Sequence, residues 1–396
     1  MGIWAQTVIQ FLYFMGDTLS KVVVDLKAID HNIRQFHRLL APTTKFMAVV
    51  KGNAYGHGLF EVSKQALASG ASYLGVVSAS EAIQLRKWGI IQPIMMLGAA
   101  DKEEVKELIK NKVGISIYNE ESFRMVQRMS TILKKKAIVH IKVDTGLSRL
   151  GFANGDAVKV AQKIVKKPLN FELQGIYSHL ASVEELNQSF TKTQIRTFER
   201  TLKKIKDLGI EIPIVSIAAT GATIMHPESH FNCVRVGIGM YGLWPSRGLE
   251  TWAKRNKATK FLKLKPALSY KTKLVHVRRI SAGSHVGYGA EYQARNAMKI
   301  GVIPVGYYEG MPRSLSNMGF ALHKSGKVFP MVGRVCMNMI ILDVSKSARV
   351  KVGDEITLIG KAKNKDISAT SLAEWASTIN YEIVTRIPEH IERTYK

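Results

Sequence analysis

Eight short apolar runs recur along the first two thirds of the chain, at residues 46–50, 73–77, 94–97, 114–118, 138–143, 173–178, 214–218 and 234–238. Polar, Lys/Glu-rich stretches of helical length, such as 101–111 and 189–208, lie between them. Ahead of the first run, Ile29, Ile33, Phe36 and Leu40 form the apolar stripe of an amphipathic helix. About eight buried strands alternating with helices predict a (β/α)₈ barrel, with a doubly wound open sheet as the competing arrangement. Beyond Gly242 the pattern changes. A basic, Trp-containing link at 252–265 leads into Pro266, and hairpin-like runs follow at 268–280, 299–307, 328–335, 339–344 and 355–359. Turns such as Ser325-Gly326 and Val352-Gly353-Asp354 punctuate these runs, which predict a separate, mostly β domain. The expected division is an N-terminal extension at 1–18, a barrel at 19–258 and a C-terminal β domain at 259–396.

A length of 396 residues fits two domains, or one barrel with an appendage. Hydrophobic residues make up 46% and charged residues 22%, which excludes a disordered or low-complexity chain. Cys233 and Cys336 lie far apart with no C-x-x-C, so neither a disulfide framework nor a zinc site is expected. That usage suits a reducing cytoplasm. The 57 Lys+Arg against 31 Asp+Glu give a formal charge of +26. Such a charge attracts polyanions non-specifically, but no basic arm or RNA-reading motif accompanies it, so a solvated basic surface is the reading and no specific nucleic-acid partner is expected. Residues 1–16 carry no charged side chain, yet they are too short and too interrupted by Gln6, Thr7 and Gln10 to span a bilayer. Trp4, Val8, Phe11 and Met15 have helical spacing there, and neither a signal peptide nor a membrane anchor is expected.

In a barrel, chemistry gathers at the carboxyl ends of the strands. The first run exits as VVKGNAYGHG, which sets Lys51 at the strand end with Asn53, Tyr55 and His57 on a Gly-punctuated turn. The fifth reads AIVHIKVDTGLSRLG, and its period of two puts His140, Lys142 and Asp144 on the inward face. The sixth ends at Ser178-His179, the seventh at Ala219-Thr220-Gly221, and the eighth holds Arg235, Gly237 and Ile238. Taken singly, each has a bland explanation as a surface cation, a satisfied core histidine or an ordinary loop. Together, cations, a tyrosine and an imidazole at successive strand exits describe a site. An inward Lys142 in particular needs a partner, because an unpaired buried ammonium is costly.

VVKGNAYGHG resembles the pyridoxal-phosphate lysine motif of the alanine racemase family. The resemblance continues, in order, through KVDTGLSRLG, GIYSHLAS, SIAATGA, VRVGIGMYGLWPS, VGYGAEY, IGVIPVGYYEGMPR, VGRVCMNM and INYEIVTRIP, and covers the chain from about residue 20 to its end. It implies a pyridoxal-phosphate-binding (β/α)₈ barrel followed by a β domain, working as a homodimer with shared active sites, and a cytoplasmic isomerase that makes D-alanine for peptidoglycan. Lys51 would carry the cofactor and act as one of two acid/base groups. Tyr288 from the partner subunit would be the other, since racemisation removes a proton from one face of Cα and returns one to the opposite face. Arg149 would meet the substrate carboxylate and support Tyr288.

Further roles follow from the same resemblance. Lys142 matches a lysine that CO₂ converts to N6-carboxylysine in many members. Arg235 would sit at the pyridine nitrogen and His179 against the ring, while Tyr55, Thr220, Gly237, Ile238 and Tyr381 would hold the phosphate. Tyr307 and Tyr381 would line the substrate entry and the Met337 amide would meet the substrate carboxylate, with Tyr307 and Met337, like Tyr288, acting across the dimer interface. No metal is implied. The chain departs from the family at Gly52 (commonly Ala), at Ala219 (where an Asn precedes the hydroxyl residue), at Leu147 (often Met) and at Asn338 (commonly Asp). A serine or broad-spectrum racemase is the nearest alternative. A fold-type III decarboxylase would need H-x-G-S and C-E-x-G-D motifs, which are absent from the sequence. A basic nucleic-acid-associated protein on a degenerate scaffold is the alternative from another class.

Overall fold

A computed structural model of the chain describes residues 19–185 and 187–396. The segment 1–18, with its helical spacing of Trp4, Val8, Phe11 and Met15, lies outside the described residues. The chain divides into two compact units, Leu26–Ala267 and a second formed by the residues up to Asp25 with Leu268–Lys396. The first strand, β1 (Lys21–Val24), belongs to the second unit.

The first unit is the barrel. Its strands are β2 (Lys45–Val49), β3 (Tyr73–Val76), β4 (Ile94–Met96), β5 (Gly114–Ile117), β6 (Ala137–Lys142), β7 (Phe171–Tyr177), β8 (Ile214–Ser216) and β9 (Cys233–Val236). Each pairs in parallel with the next up to β8, and β9 returns to β2 in the register Lys45↔Cys233 to Ala48↔Val236. The last seam, between β8 and β9, is bridged at Ala219↔Arg235, so the cylinder is nearly closed. The helices are α1 (Leu26–His37), α2 (Leu59–Ala68), α3 (Ala79–Lys87), α4 (Lys102–Lys110), α5 (Glu120–Leu133), α6 (Asn154–Val165), α7 (Ser189–Lys206), α8 (Thr220–Met225) and α9 (Arg247–Arg255). Continuous burial along β3, β4, β5 and β9 is what a parallel strand covered on both faces requires. Met47, Tyr73, Met95, Tyr177, Ile214 and Cys233 pack together as a core cluster of the barrel.

The stretch 252–265, expected as a link, belongs to the barrel unit. Ser246 caps α9 by accepting from the Leu249 amide. Fully buried Asn32 on α1 donates to the carbonyls of Lys265 at 2.8 Å and Met240 at 3.1 Å, and its oxygen accepts from the Lys265 amide at 2.8 Å. A β-carbon at Gly242 would lie 1.8 Å from the Lys265 carbonyl, so the chain passes there only because Gly242 has no side chain.

The second unit is sheet-rich. Its strands are β10 (Leu268–Lys273), β11 (His276–Ile280), β12 (His285–Val286), β13 (Tyr292–Gln293), β14 (Met298–Ile303), β15 (Phe320–His323), β16 (Val328–Pro330), β17 (Ile340–Asp343), β18 (Glu355–Ala362), β19 (Lys365–Ile367) and β20 (Glu392–Tyr395). The main sheet runs β16-β15-β18-β10-β1-β20 with β19 on β18; β11-β14-β17 form a second sheet and β12-β13 a ribbon. β1 is antiparallel to β10 and parallel to β20. Its burial alternates, with Val22 and Val24 inside, which suits this one-sided sheet and not a barrel wall. Residues 19–25, expected with the barrel, thus belong to the sheet-rich unit. Two short helices, α10 (Ala369–Trp375) and α11 (Asn380–Thr385), complete the unit. No helix among the described residues is long and apolar enough to cross a membrane.

Candidate active site

Lys51 stands at the exit of β2, and the four residues after it turn left-handed, with φ of 62°, 51°, 52° and 53° at Gly52, Asn53, Ala54 and Tyr55. Such a run is unfavourable for L-residues by roughly 1–2 kcal/mol each, so neighbouring groups must hold it. Glu81 on α3 accepts from the amides of Asn53 (3.2 Å) and Val77 (3.1 Å), and the Asn53 side chain accepts from the Leu59 amide at 2.7 Å. Buried Tyr241 donates to the Val49 carbonyl at 3.0 Å, and its ring packs against Tyr55 and His57 at 4.9 and 4.5 Å. The turn thus buries Tyr55 and leaves Lys51 half-buried at the strand end.

Lys142, at the end of β6, is buried as the inward phase predicts. Its ammonium lies 5.4 Å from the centre of the Tyr177 ring, and the Arg235 guanidinium lies 5.2 Å from the same ring. The Tyr177 hydroxyl bonds to Ser116 Oγ at 2.8 Å. Arg235 is fixed by donating to Ser216 Oγ (2.7 Å), the Ser178 carbonyl (2.6 Å), the Ile217 carbonyl (3.3 Å) and His179 Nδ1 (3.4 Å). As the acceptor, His179 Nδ1 carries no proton. Asp144 accepts from the amides of Gly146 and Ser148 at 2.9 and 3.1 Å and so shapes the exposed loop that carries Arg149.

These cations act on one another. Burial, then the charges of Arg149, Arg235 and Lys51, pull the Lys142 amine down to about 8. Lys51 is lowered by burial, then by Arg149 and Arg235, with Glu81 opposing. His179 falls to about 3 through burial and then Arg235 and Arg149, so its imidazole is neutral. Tyr177 is raised to about 12 by burial. A cluster of four cations with so little carboxylate beside it is an anion site in waiting.

The second element is a cradle at the end of β9, the strand paired with β2. Thr220 Oγ1, on the first residue of α8, accepts from the amides of Gly237 (3.2 Å) and Gly239 (3.4 Å). A β-carbon on Gly237 would lie 2.6 Å from the Tyr55 hydroxyl, and one on Gly239 would lie 2.7 Å from Thr220 Cγ2. Ile238 opens a short 3₁₀ turn between them. The arrangement brings Tyr55, Thr220, Gly237 and Ile238 together, after the strand that holds Arg235 and beside the strand that leads to Lys51.

Four expected residues belong to the sheet-rich unit. Tyr288 is 70% exposed at the tip of the β12–β13 ribbon, between Gly287 (φ 76°) and Gly289 (φ 77°), and the Arg334–Glu291 ion pair ties that tip to the next loop. Tyr307 and Met337 are exposed on adjoining loops, joined by the Tyr307 amide donating to the Cys336 carbonyl at 3.0 Å. Tyr381 lies half-buried on α11. Sequence reasoning missed Glu81, Tyr177, Ser216 and Tyr241, and gave no sign that the Ser178 carbonyl accepts from Arg235. A period-two reading of β7 and β8 places Tyr177 and Ser216 but gives no reason to single them out.

Comparisons with known proteins agree along nearly the whole chain. Residues 24–245 match the family model described as alanine racemase, N-terminal domain, and residues 267–395 match alanine racemase, C-terminal domain. The alanine racemase of Methanococcus maripaludis is 36% identical over 372 residues, covering 94% of this chain and 97% of its own. Among solved structures, an alanine racemase from D-cycloserine-producing Streptomyces lavendulae superimposes with a TM-score of 0.89 at 31% identity, covering 96% and 97% of the two chains. A histidine racemase from Leuconostoc mesenteroides superimposes with a TM-score of 0.86 at 29% identity, covering 96% and 99%.

Proposed function

The chain belongs to the alanine racemase family, and on that premise we propose that it interconverts L- and D-alanine with pyridoxal phosphate carried by Lys51. The observation that carries this reading is the placement of a half-buried lysine and an anion cradle on the paired strands β2 and β9. The residues fit the cofactor. Glycine at 237 keeps clear the space beside the Tyr55 hydroxyl that a β-carbon would fill, and uncharged donors there suit a phosphate. Thr220 and Ile238 complete the cradle, and the family resemblance adds Tyr381 to the phosphate set. When bound, the cofactor supplies an electron-withdrawing ring that acidifies the α-hydrogen of an attached amino acid.

The chain's own groups do the rest. Lys51 must be neutral to accept a proton at Cα, and burial with Arg149 and Arg235 lowers its amine in that direction. Arg235, held on four sides, keeps a proton that it cannot give up and would donate to the ring nitrogen, which leaves that nitrogen unprotonated. Neutral His179 would cover the ring. Tyr288 of a second copy would serve the opposite face of Cα, which makes a homodimer the working form. Arg149 and the Met337 amide of a second copy would take the substrate carboxylate. Lys142, converted by CO₂ to N6-carboxylysine, would become an anion beside Arg149 and relieve the crowding of cations. Free thiols at Cys233 and Cys336 support a cytoplasmic setting, and D-alanine for peptidoglycan is the product's destination.

The fold alone does not choose the side chain, because a histidine racemase shares it. Alanine is favoured by the relatives' names and by the bulk of Tyr307, Tyr381 and Met337. Proton NMR of the cofactor-loaded protein in D₂O, following the α-hydrogens of alanine, serine and histidine, tests the reading. Exchange of alanine alone is expected, lost in Lys51→Ala. In Tyr288→Phe, one alanine enantiomer should lose exchange more than the other, and equal loss overturns the two-face assignment. Comparable exchange of serine or histidine overturns the substrate.

A further inference from the structure

The loops that carry Tyr307 and Met337 are pressed together. A β-carbon on Gly306 would lie 2.2 Å from the Cys336 carbonyl and 2.3 Å from the Met337 carbonyl, and the amides of Tyr307 and Tyr308 donate to those two carbonyls at 3.0 and 2.9 Å. At the centre of this contact sits the carboxylate of Glu309, in a residue only 8% exposed. One oxygen accepts from the Gly306 amide at 2.8 Å, on its own loop. The other accepts from the side-chain amide of Asn338 at 2.7 Å, on the facing loop. Only the NH₂ of Asn338 can face a carboxylate, which fixes the orientation of that amide. A buried carboxylate spanning two loops is a rigid tie, because losing either partner leaves a desolvated charge unpaired.

We propose that Glu309 is a positioning residue of the substrate pocket: it clamps the Tyr307 loop to the Met337 loop, and Asn338 is the donor that lets it do so. This rests on the reading above that Tyr307 and Met337 meet the substrate. In this chain an Asp at 338 would set an ionised carboxylate facing Glu309 at hydrogen-bond distance, whereas Asn donates to it.

Two carboxylates so close share a proton at low pH and repel at high pH. Ionisable groups packed on these loops include Tyr270, Arg393, the Cys336 thiol on the facing loop and His390, whose ring stacks on Tyr308 at 5.2 Å. The Tyr270 hydroxyl donates to the Glu309 carbonyl at 3.1 Å, and burial, then Glu309, raises its pKa, while Arg393 acts on Tyr270. All four are the same in every variant, so comparison at equal pH removes their contribution.

The test compares the cofactor-loaded protein with N338D, E309Q and N338D/E309Q. Racemisation of alanine is followed from about pH 6 to about pH 9, with backbone hydrogen exchange read on peptides holding Tyr307 and Tyr308. In N338D, KM is expected to rise roughly tenfold towards the alkaline end while kcat moves little, and both amides exchange faster than in the unmutated protein at the same pH. In N338D/E309Q the Gln amide donates to the new carboxylate, so KM and exchange return to the unmutated values. A flat pH profile in N338D, no rescue in the double variant, or faster exchange without a change in KM overturns the proposal. If N338D does not fold, E309A serves, with a pH-independent rise in KM and in exchange expected and unchanged values overturning the proposal. An unmutated protein that racemises no amino acid overturns the functional reading itself, and with it the pocket role; exchange in the variants then shows separately whether the clamp exists.

Discussion

Lys142 shows how much one side chain can impose on the protein's behaviour. Its amine sits near 8 in the folded chain against an ordinary value of 10.5, mainly through burial. Between those two values the unfolded chain holds more protons than the folded one, so stability rises with pH across that window and the full penalty remains below it. Protein freed of cofactor and bicarbonate should therefore gain stability from about pH 8 to about pH 10, on the order of 2–3 kcal/mol for this group. Denaturant unfolding at both pH values checks it, and Lys142→Met should flatten the slope. Bicarbonate should raise the midpoint of the parent and leave that of Lys142→Met unchanged; an equal shift in both would count against carboxylation of Lys142. Lys51, Lys142 and Arg235 were legible in the sequence because a charge at a strand exit is conspicuous. Glu81 was not, since its work of holding the left-handed turn through the amides of Asn53 and Val77 depends on a backbone shape that no spacing announces.

Whole elements were legible where burial is two-sided. The eight barrel strands declare themselves as apolar runs because both faces of each are covered. The sheet-rich unit hid its order, since antiparallel partners such as β10 and β18, or β15 and β18, are set by register between distant segments. The stretch after α9 reads as a link in sequence because what holds it is a row of α1 side chains, with His31 and Gln35 at Lys263, Arg38 over the Phe261 ring and Asn32 at Lys265. Asn32 satisfies both backbone groups of Lys265 and the Met240 carbonyl from a fully buried position. Asn32→Ala should strand those groups and destabilise the barrel unit by roughly 2–4 kcal/mol. Thermal unfolding would measure this, and a loss within about 0.5 kcal/mol would mean the stitch is dispensable.

For the molecule as a whole, a charge of +26 is spread along the sequence in short groups, which we read as a solvated basic surface. Binding to a polyanion should accordingly be weak and should vanish as salt rises, with turnover by the released protein unaffected. The two units differ in how the chain visits them. The barrel is drawn from one unbroken stretch, whereas the main sheet of the other unit places β1 between β10 and β20. During synthesis, then, the two units are on different clocks. The barrel has all its residues while the ribosome is still making the sheet, but β1 leaves the tunnel early and waits about 370 residues for β20. At roughly 5–20 residues per second that is about 20–70 s with a Val-rich edge unpaired, an interval in which a slow codon run or a missing chaperone would be felt by the sheet and not by the barrel.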